Sequence, residues 1–127
     1  MTYSIVARAP ATGELGGAVQ SRSFGAVRCV WARAAVGVVA TQSFSDVGYG
    51  PLGLDLMAAG KTPERALEGL RAADEHERFR QVAMVNASGS VAVHTGSACI
   101  AEAGHVAGAG SSVQANMMRA RRCGRRW

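Results

Sequence analysis

A nearly unbroken apolar run at residues 34–42 constrains the fold of this chain more than any other segment. The run ends in Thr41 and Gln42, and it lacks the alternation of polar and apolar side chains expected of a half-exposed strand. Such a run is typical of a β-strand that is buried on both faces. We therefore expect a central sheet with a layer of structure on each side of it.

Patterning predicts the elements around this strand. Alternating side chains predict a strand at residues 2–8, and turn residues at 10–13 connect it to a second strand at residues 15–21. Further strands are predicted at 27–31, 81–85, 91–95 and 111–116, and helices at 51–59 and 63–73. A hairpin sheet with two consecutive helices predicts an α+β fold.

Two helices can cover only one face of the central sheet. We therefore expect its other face to be covered by something that this chain does not encode, or to expose a contiguous apolar patch. Gly104, Gly108 and Gly110 predict loops and add no further layer. The patch predicts that the chain associates into a homo-oligomer.

The composition of the chain is that of a folded protein and shows no sign of disorder or of a membrane span. The 127 residues suffice for one domain, and a composition of 48% hydrophobic and 18% charged residues excludes a disordered chain. No apolar run approaches the length of about 20 residues that a membrane span needs. The N-terminus has no signal-peptide pattern, so we expect a cytoplasmic protein with no membrane partner.

The basic charge is confined to one end of the chain. Five of the 14 basic residues lie in residues 119–127, and the remaining nine are balanced by nine acidic residues. Because the body has no basic excess, we expect no specific nucleic-acid partner. We interpret residues 1–118 as a single, partial domain and residues 119–127 as a basic tail that is disordered or results from a frameshift.

Thr2 is the candidate nucleophile. Removal of Met1 is usual before a residue as small as Thr, and it would give Thr2 a hydroxyl and a free α-amine on one residue. The amine's reference pKa is about 7.7–8.0, so it can act as the base for its own hydroxyl. Nucleophilic Thr activated by its own N-terminal amine is a known arrangement.

Polar residues at the strand ends are candidates for the rest of the site. Gln20 and Ser21 end the second strand, beside the start of the first strand in a regular hairpin. Arg33 precedes the buried strand, where its charge would lower the pKa of the amine. The candidate substrate contacts are the end of the buried strand and one histidine, namely Thr41, Gln42, Ser43 and His94.

Metal and nucleotide motifs are absent from the sequence. His94, Cys99 and His105 have a spacing that matches no zinc pattern and leaves a fourth ligand missing. No glycine-rich phosphate-binding loop is present. We therefore expect neither a metal nor a cofactor.

Several segments resemble one bacterial family. These segments are residues 2–8, 12–16, 18–22, 40–42, 49–51, 80–81, 94–96 and 114–117, and the similarity is collinear over residues 2–118. The family is called domain of unknown function 1028 and is regarded as similar to the N-terminal nucleophile (Ntn) hydrolases. That resemblance implies a four-layer αββα sandwich.

The same resemblance suggests a reaction. Ntn hydrolases cleave amide bonds with an N-terminal Thr, Ser or Cys, which would be Thr2 here. By analogy with proteasome β subunits, Gln20 and Ser21 stand where those proteins have an aspartate, and Arg33 stands where they have a lysine. The implied substrate is a small-molecule or peptide amide. A non-catalytic Ntn-like module that binds a ligand or partner is the alternative, since a fold does not fix a function.

The resemblance also bears on the C-terminal end of the chain. Family members continue beyond the segment equivalent to residues 114–117, into helices that would cover the second sheet. This chain diverges at Arg119. The resemblance therefore implies a truncated or frameshifted member that lacks the second helix layer.

Overall fold

The computed structural model of the protein describes residues 1–119, and its fold is α+β. The strands are β1 (Thr2–Arg8), β2 (Leu15–Ser21), β3 (Val30–Arg33), β4 (Gly37–Ser43), β5 (Arg80–Asn86), β6 (Val91–Thr95), β7 (Gly104–Gly108) and β8 (Ser111–Asn116). The helices are α1 (Tyr49–Ala58) and α2 (Pro63–Ala72). Short 3₁₀ turns occupy Ala26–Cys29 and Glu77–Phe79.

The strands form two antiparallel sheets of four strands each. We call the sheet with the order β3-β4-β5-β6 the inner sheet, and the sheet with the order β2-β1-β8-β7 the outer sheet. The outer sheet joins the N-terminal hairpin to the last hairpin of the described chain, because β1 pairs with both β2 and β8. Thr2 thereby faces Ser21 on one side and Asn116 on the other.

The inner sheet is covered on both faces. Helices α1 and α2 pack on one face through a core that includes Val39, Leu54, Leu67, Val82 and Met84. The outer sheet packs on the other face through a second core of Val6, Val38, Ala40, Ala83 and Val85. The expectation that this chain does not encode a cover for the second face is therefore wrong. The N-terminal hairpin supplies two of the four strands of that cover.

The helix starts follow their capping chemistry. Helix α2 begins where the sequence predicts, because the hydroxyl of Thr62 accepts a hydrogen bond from the backbone N–H of Arg65 and Pro63 occupies the first helical position. Helix α1 begins at Tyr49, two residues before Pro51. The aromatic ring of Tyr49 is buried in the core between the helices and the inner sheet, which favours the longer helix.

Four strands differ from the predictions, and β5 does so by only one residue at each end, since it spans Arg80–Asn86. Strand β3 starts at Val30 instead of residue 27, because a 3₁₀ turn occupies Ala26–Cys29. Strand β4 starts at Gly37 instead of residue 34, because a turn ends in a hydrogen bond from the N–H of Val36 to the carbonyl of Arg33. Strand β7 was predicted as loop from its glycines. It pairs with β8 through backbone groups, which glycine supplies as well as any other residue.

The outward face of the outer sheet is exposed to solvent. Tyr3, Ile5 and Val106 point outwards and are 42%, 41% and 44% exposed. By the strand register, the outward positions carry no charged side chain. The prediction of an exposed apolar patch on the second face of the inner sheet is therefore wrong, because that face is covered, and the exposed apolar residues lie on the outer sheet instead.

Two further expectations concern membrane-spanning helices and the basic C-terminal tail. No helix within residues 1–119 is both long enough and apolar enough to cross a membrane. The basic tail predicted for residues 119–127 lies, apart from Arg119, outside the described residues.

Candidate functional site

Thr2 lies where the first strand of the outer sheet meets the ends of its two neighbours. Its side chain points between the two sheets and is 7% exposed. Its Oγ1 lies 2.7 Å from the Oγ of Ser21, the residue that faces it on β2. The hydroxyl of Ser21 also accepts a hydrogen bond from the backbone N–H of Ser23, which fixes its position. The hairpin thus places a second hydroxyl against that of Thr2.

A cleft of about 430 Å³ opens above Thr2. It lies between the end of β2, the 3₁₀ turn and the end of β4, and its lining includes Ser21, Arg28, Cys29, Gln42 and Ser43. This volume suits a small ligand or a short segment of peptide. Thr2 forms part of the lining, so a bound ligand can reach its hydroxyl.

The cleft has a positive character. Arg28 is exposed, and among the described residues that line the cleft it is the one that carries a charge. Within residues 1–119 it forms no salt bridge. Burial raises the pKa of the neighbouring Cys29 thiol, although a hydrogen bond to Ser45 and the charge of Arg28 act in the opposite direction. At neutral pH the thiol therefore stays protonated, and the cleft favours a ligand with an anionic group.

A layer of buried amides lies between the two sheets beneath Thr2. Gln81 is at its centre, and its Oε1 accepts hydrogen bonds from Gln42 Nε2 at 2.7 Å and from Asn116 Nδ2 at 3.1 Å. Gln114 donates from its Nε2 to the hydroxyl of Ser4 at 2.6 Å. All five side chains are buried. Such a layer fixes the relative placement of the sheets because each amide needs its partners.

Some buried polar atoms of this region have no partner within residues 1–119. They are Gln42 Oε1, Ser43 Oγ and Asn116 Oδ1, and a fourth such atom, Thr41 Oγ1, lies on the helix side of β4. Gln42 and Ser43 line the cleft, and Asn116 faces Thr2 across the strands. Unpartnered buried acceptors are costly, by about 1–3 kcal/mol each, and they call for a donor.

The structure brings several of the predicted site residues together. Thr2, Ser21, Gln42 and Ser43 all line the same cleft. Gln20 does not, because it pairs with Tyr3 and shares the exposed outward face. The alternation of a strand sends Gln20 and Ser21 to opposite sides of the sheet, so only one of the two can face the cleft.

Two other predicted residues, Thr41 and His94, also lie outside the cleft. Thr41 pairs with Val82 and points towards the helices. His94 contacts Glu77, with its Nε2 2.9 Å from the backbone carbonyl and 3.0 Å from the carboxylate. Neither residue is in the lining of the cleft.

Arg33 is the largest departure from the expected site. It pairs with Gly37, at the opposite end of β4 from Gln42, and the five steps along the strand from Gly37 to Gln42 span about 17 Å. Its guanidinium forms a salt bridge of 2.9 Å with Asp55. At such a distance its charge is screened from Thr2, so Arg28 is the cation of this cleft.

Sequence reasoning missed Asn116, Gln81 and Arg28. Strand β8 alternates Ser112, Gln114 and Asn116, which is a signal that one of its faces meets a polar surface. That signal does not say which strand β8 pairs with, and the pairing with β1 is what brings Asn116 to Thr2.

The structure gives no metal site within residues 1–119, where no group of three or more His, Cys, Asp and Glu side chains is placed to hold an ion. His105 Nδ1 lies 2.8 Å from the hydroxyl of Thr95. Burial and the nearby His94 lower the pKa of His105. Cys99 donates to the carbonyl of Arg80 at 3.3 Å. The side chains of His105 and Cys99 therefore each have a hydrogen-bond partner within the fold.

Comparison with known proteins places the chain in a family. A family model described as a family of unknown function, DUF1028, matches residues 2–125. The chain belongs to the DUF1028 family. A search of curated proteins found no match to this DUF1028 chain.

A solved structure is similar to this DUF1028 protein. It is the crystal structure of a Silicibacter pomeroyi protein that is itself described as DUF1028, and it superposes with a TM-score of 0.90 at 28% sequence identity. The superposition covers 95% of this chain and 57% of the other chain. The present DUF1028 chain thus spans little more than half the length of that relative.

Proposed function

We propose that this protein is an amidohydrolase of the Ntn type, in which Thr2 is the nucleophile once Met1 has been removed. The observation that carries the proposal is the placement of the Thr2 hydroxyl, 2.7 Å from Ser21 Oγ and in the lining of a cleft of about 430 Å³. The order of layers also supports it, because a helix layer followed by two stacked sheets agrees with three layers of an αββα sandwich.

The chemistry needs only Thr2 and water. The α-amine takes the proton of Oγ1 while Oγ1 attacks the carbonyl carbon of the substrate amide. The tetrahedral intermediate then breaks its C–N bond, and the leaving amine takes the proton held by the α-ammonium. The product is an ester of Thr2. A water molecule, deprotonated by the same α-amine, hydrolyses the ester and restores the hydroxyl.

Removal of Met1 would also free two hydrogen-bond donors. The carbonyl of Met1 accepts from the backbone N–H of Arg22 at 3.3 Å and from the hydroxyl of Ser21 at 3.4 Å. Without Met1, both donors point into the space beside Thr2. Paired donors in a partly buried site stabilise the oxyanion of a tetrahedral intermediate. These two groups are therefore the proposed oxyanion donors.

The test compares variants on a defined set of probes. Intact mass first establishes that Met1 is absent, and turnover is then measured on p-nitroanilide amides with neutral and with carboxylate-bearing acyl groups. Thr2→Ser should keep turnover, Thr2→Ala should reduce it to background, and Thr12→Ala serves as an exposed control. Arg28→Gln should reduce turnover of the carboxylate-bearing probes selectively.

Two results would refute the proposal. The first is a Thr2→Ala variant that turns over any probe at the wild-type rate. The second is a mature protein that retains Met1, since the amine of Thr2 would then be part of a peptide bond. With Met1 retained, the cleft becomes the site of the alternative, a non-catalytic binding module.

A further inference from the structure

We propose that the side-chain oxygen of Asn116, supported by that of Gln42, holds the α-amine of Thr2 and orients its lone pair towards Oγ1. Both are positioning residues that act through the amine. The inference rests on the proposed function in one respect, because it assumes that Thr2 has a free amine. It makes a claim about the unliganded protein that can be tested without a substrate.

The backbone register directs the amine of Thr2 towards Asn116. In an antiparallel pair, the residues along a strand turn their N–H and C=O groups alternately to one neighbour and to the other. Met1 bonds to β2, because its carbonyl accepts from the N–H of Arg22. Thr2 therefore turns its backbone groups to β8, where its register partner is Asn116. Arg8, six residues along β1, follows the same alternation and donates to Gly110.

The amide orientation of Asn116 follows from Gln81. The Nε2 of Gln81 donates to the hydroxyl of Thr95 and to two backbone carbonyls, each at 3.0 Å, so the other end of this amide must be its oxygen. That oxygen is an acceptor, and Asn116 must therefore present its NH₂ group to it. The Oδ1 of Asn116 is left without a partner in a side chain that is 0% exposed.

The same argument applies to Gln42 on the facing sheet. Its Nε2 donates to Gln81 Oε1 and to the carbonyl of Gln114, which leaves its Oε1 unpartnered. Gln42 is 2% exposed and lines the cleft that contains Thr2. The two buried acceptors with fixed orientation thus belong to the residue that pairs with Thr2 across the strands and to a residue that shares the cleft lining with Thr2.

These acceptors match the donors of a neutral amine. A neutral α-amine has two N–H groups and one lone pair. The backbone carbonyl of Asn116 and its Oδ1 can take the two N–H groups, with Gln42 as an additional acceptor for the protonated form. The lone pair is then free to face Thr2 Oγ1, which is the orientation that a base for this hydroxyl needs.

Other groups near the amine act on its proton affinity. Arg28 and Cys29 line the cleft, and Arg22 lies at the end of β2. His105 lies on β7, two strands away from β1, where it pairs with Gln114 of β8. From the inner sheet, the facing side chains are the uncharged Gln42 and Gln81. The arginines lower the amine's pKa and the Asn116 oxygen raises it, so changing that oxygen should shift the titration.

The test measures the pKa of the α-amine directly in the Met1-free full chain. The rate of acetylation by acetic anhydride is followed as a function of pH, and the N-terminal peptide is quantified by mass spectrometry. Asn116→Asp should raise the pKa of the α-amine by about 1 unit or more, because a carboxylate beside the amine favours the ammonium form. Asn116→Ala should lower it by about 0.5 unit. Ser112→Ala, elsewhere in the same buried layer, should leave it unchanged.

Two controls ensure that a change in the pKa of the amine is not caused by a variant that fails to fold. Thermal melts establish that each variant is folded, and Gln42→Glu replaces Asn116→Asp with the same expected direction if the latter does not fold. Shifts of less than about 0.2 unit in all folded variants of Asn116 and Gln42 would overturn the proposal. An amine shift without amide turnover would refute the hydrolase and leave the placement of the amine standing.

Discussion

The two sheets of this protein have the same number of strands and very different surroundings. The inner sheet is covered by helices on one face and by the outer sheet on the other, and the side chains of β4 and β5 are almost all buried. The outer sheet has one covered face and one face in solvent. Its covered face is apolar at Val6 and becomes polar at Ser4 and Thr2.

The two sheets also contribute differently to the stability of the fold and to the proposed chemistry. The inner sheet contributes to both apolar cores and supplies two of the buried amides, Gln42 and Gln81. The outer sheet supplies Thr2 and Ser21, whose hydroxyls bond to each other, and Asn116, whose Oδ1 has no partner within residues 1–119. Natural proteins tolerate unpaired buried groups mainly where they serve a function, so we locate the site where Gln42 and Ser43 at the end of β4 meet the outer sheet beside Thr2 and Asn116.

The largest expected effect comes from truncation in the inner sheet. Met84 is 0% exposed and packs in the core beneath the helices, whereas Ile5 is 41% exposed on the outer sheet. Met84→Ala should lower the free energy of unfolding by about 2–5 kcal/mol. Ile5→Ala should lower it by less than about 1 kcal/mol, since less apolar surface returns to water. Urea denaturation measures both, and equal losses would contradict the distinction between the sheets.

The next effect concerns the amide layer between the sheets. Gln81→Leu removes the acceptor for Gln42 and Asn116 and the donor for three oxygens. Because the remaining partners stay buried, we expect a loss of about 2–3 kcal/mol. Ser88→Ala, on an exposed turn, is the control. If urea denaturation shows Gln81→Leu to be neutral, the amide layer does not hold the sheets together.

A smaller, pH-dependent effect is expected on the helix side of the inner sheet. Asp74 bonds to Arg80 at 2.8 Å and accepts from the Tyr49 hydroxyl at 3.1 Å. Chiefly through the hydrogen bond to Arg80, the pKa of Asp74 is lowered to about 2. The folded carboxyl thus binds its proton less readily than the unfolded one, and its contribution to stability is present above about pH 4 and lost as the pH falls towards 2.

Asp74→Asn tests that contribution. At pH 7 the variant should lose about 1–2 kcal/mol of unfolding free energy, and the difference from wild type should shrink as the pH falls from 4 to 2. Glu64→Gln, in the first turn of α2, is the control carboxyl. Denaturation at several pH values measures the difference, and a gap that stays constant down to pH 2 would contradict the assigned role.

The smallest effect on stability, with the clearest effect on association, is expected at the outward face. Ile5→Lys should change the unfolding free energy by less than about 1 kcal/mol, because the side chain can extend into solvent. It should also weaken any concentration-dependent association, since it places a charge in an uncharged apolar patch. Sedimentation velocity over a range of concentrations tests this. A variant that associates as strongly as wild type would exclude this face as the contact.

The sequence predicts most of the local structure and part of the site. Strands β1, β2, β6 and β8 have their predicted bounds because alternation and turn residues define them locally. The hairpin also predicts that Ser21 lies beside Thr2, because the contact is set by two strands joined by one turn.

The remaining features depend on contacts between distant parts of the chain. The pairing of β1 with β8 joins residues more than a hundred positions apart, and no local pattern specifies it. Arg33 was misplaced because it ends β3 and pairs with Gly37, the first residue of β4, whereas Thr2 lies near the other end of that strand. Asn116 was missed for the same reason as the outer sheet itself, since both depend on that distant pairing.

The most direct test of the central claim is to map where an amide-directed electrophile reacts. Met1-free protein is treated at pH 7.5 with a β-lactone probe and digested, and the modified residue is identified by mass spectrometry. We predict a single ester adduct on Thr2 that Thr2→Ala abolishes. Cys29 should stay unmodified, because burial raises its pKa and keeps the thiol protonated. An adduct on Cys29 or Ser21 with Thr2 unmodified would contradict the account.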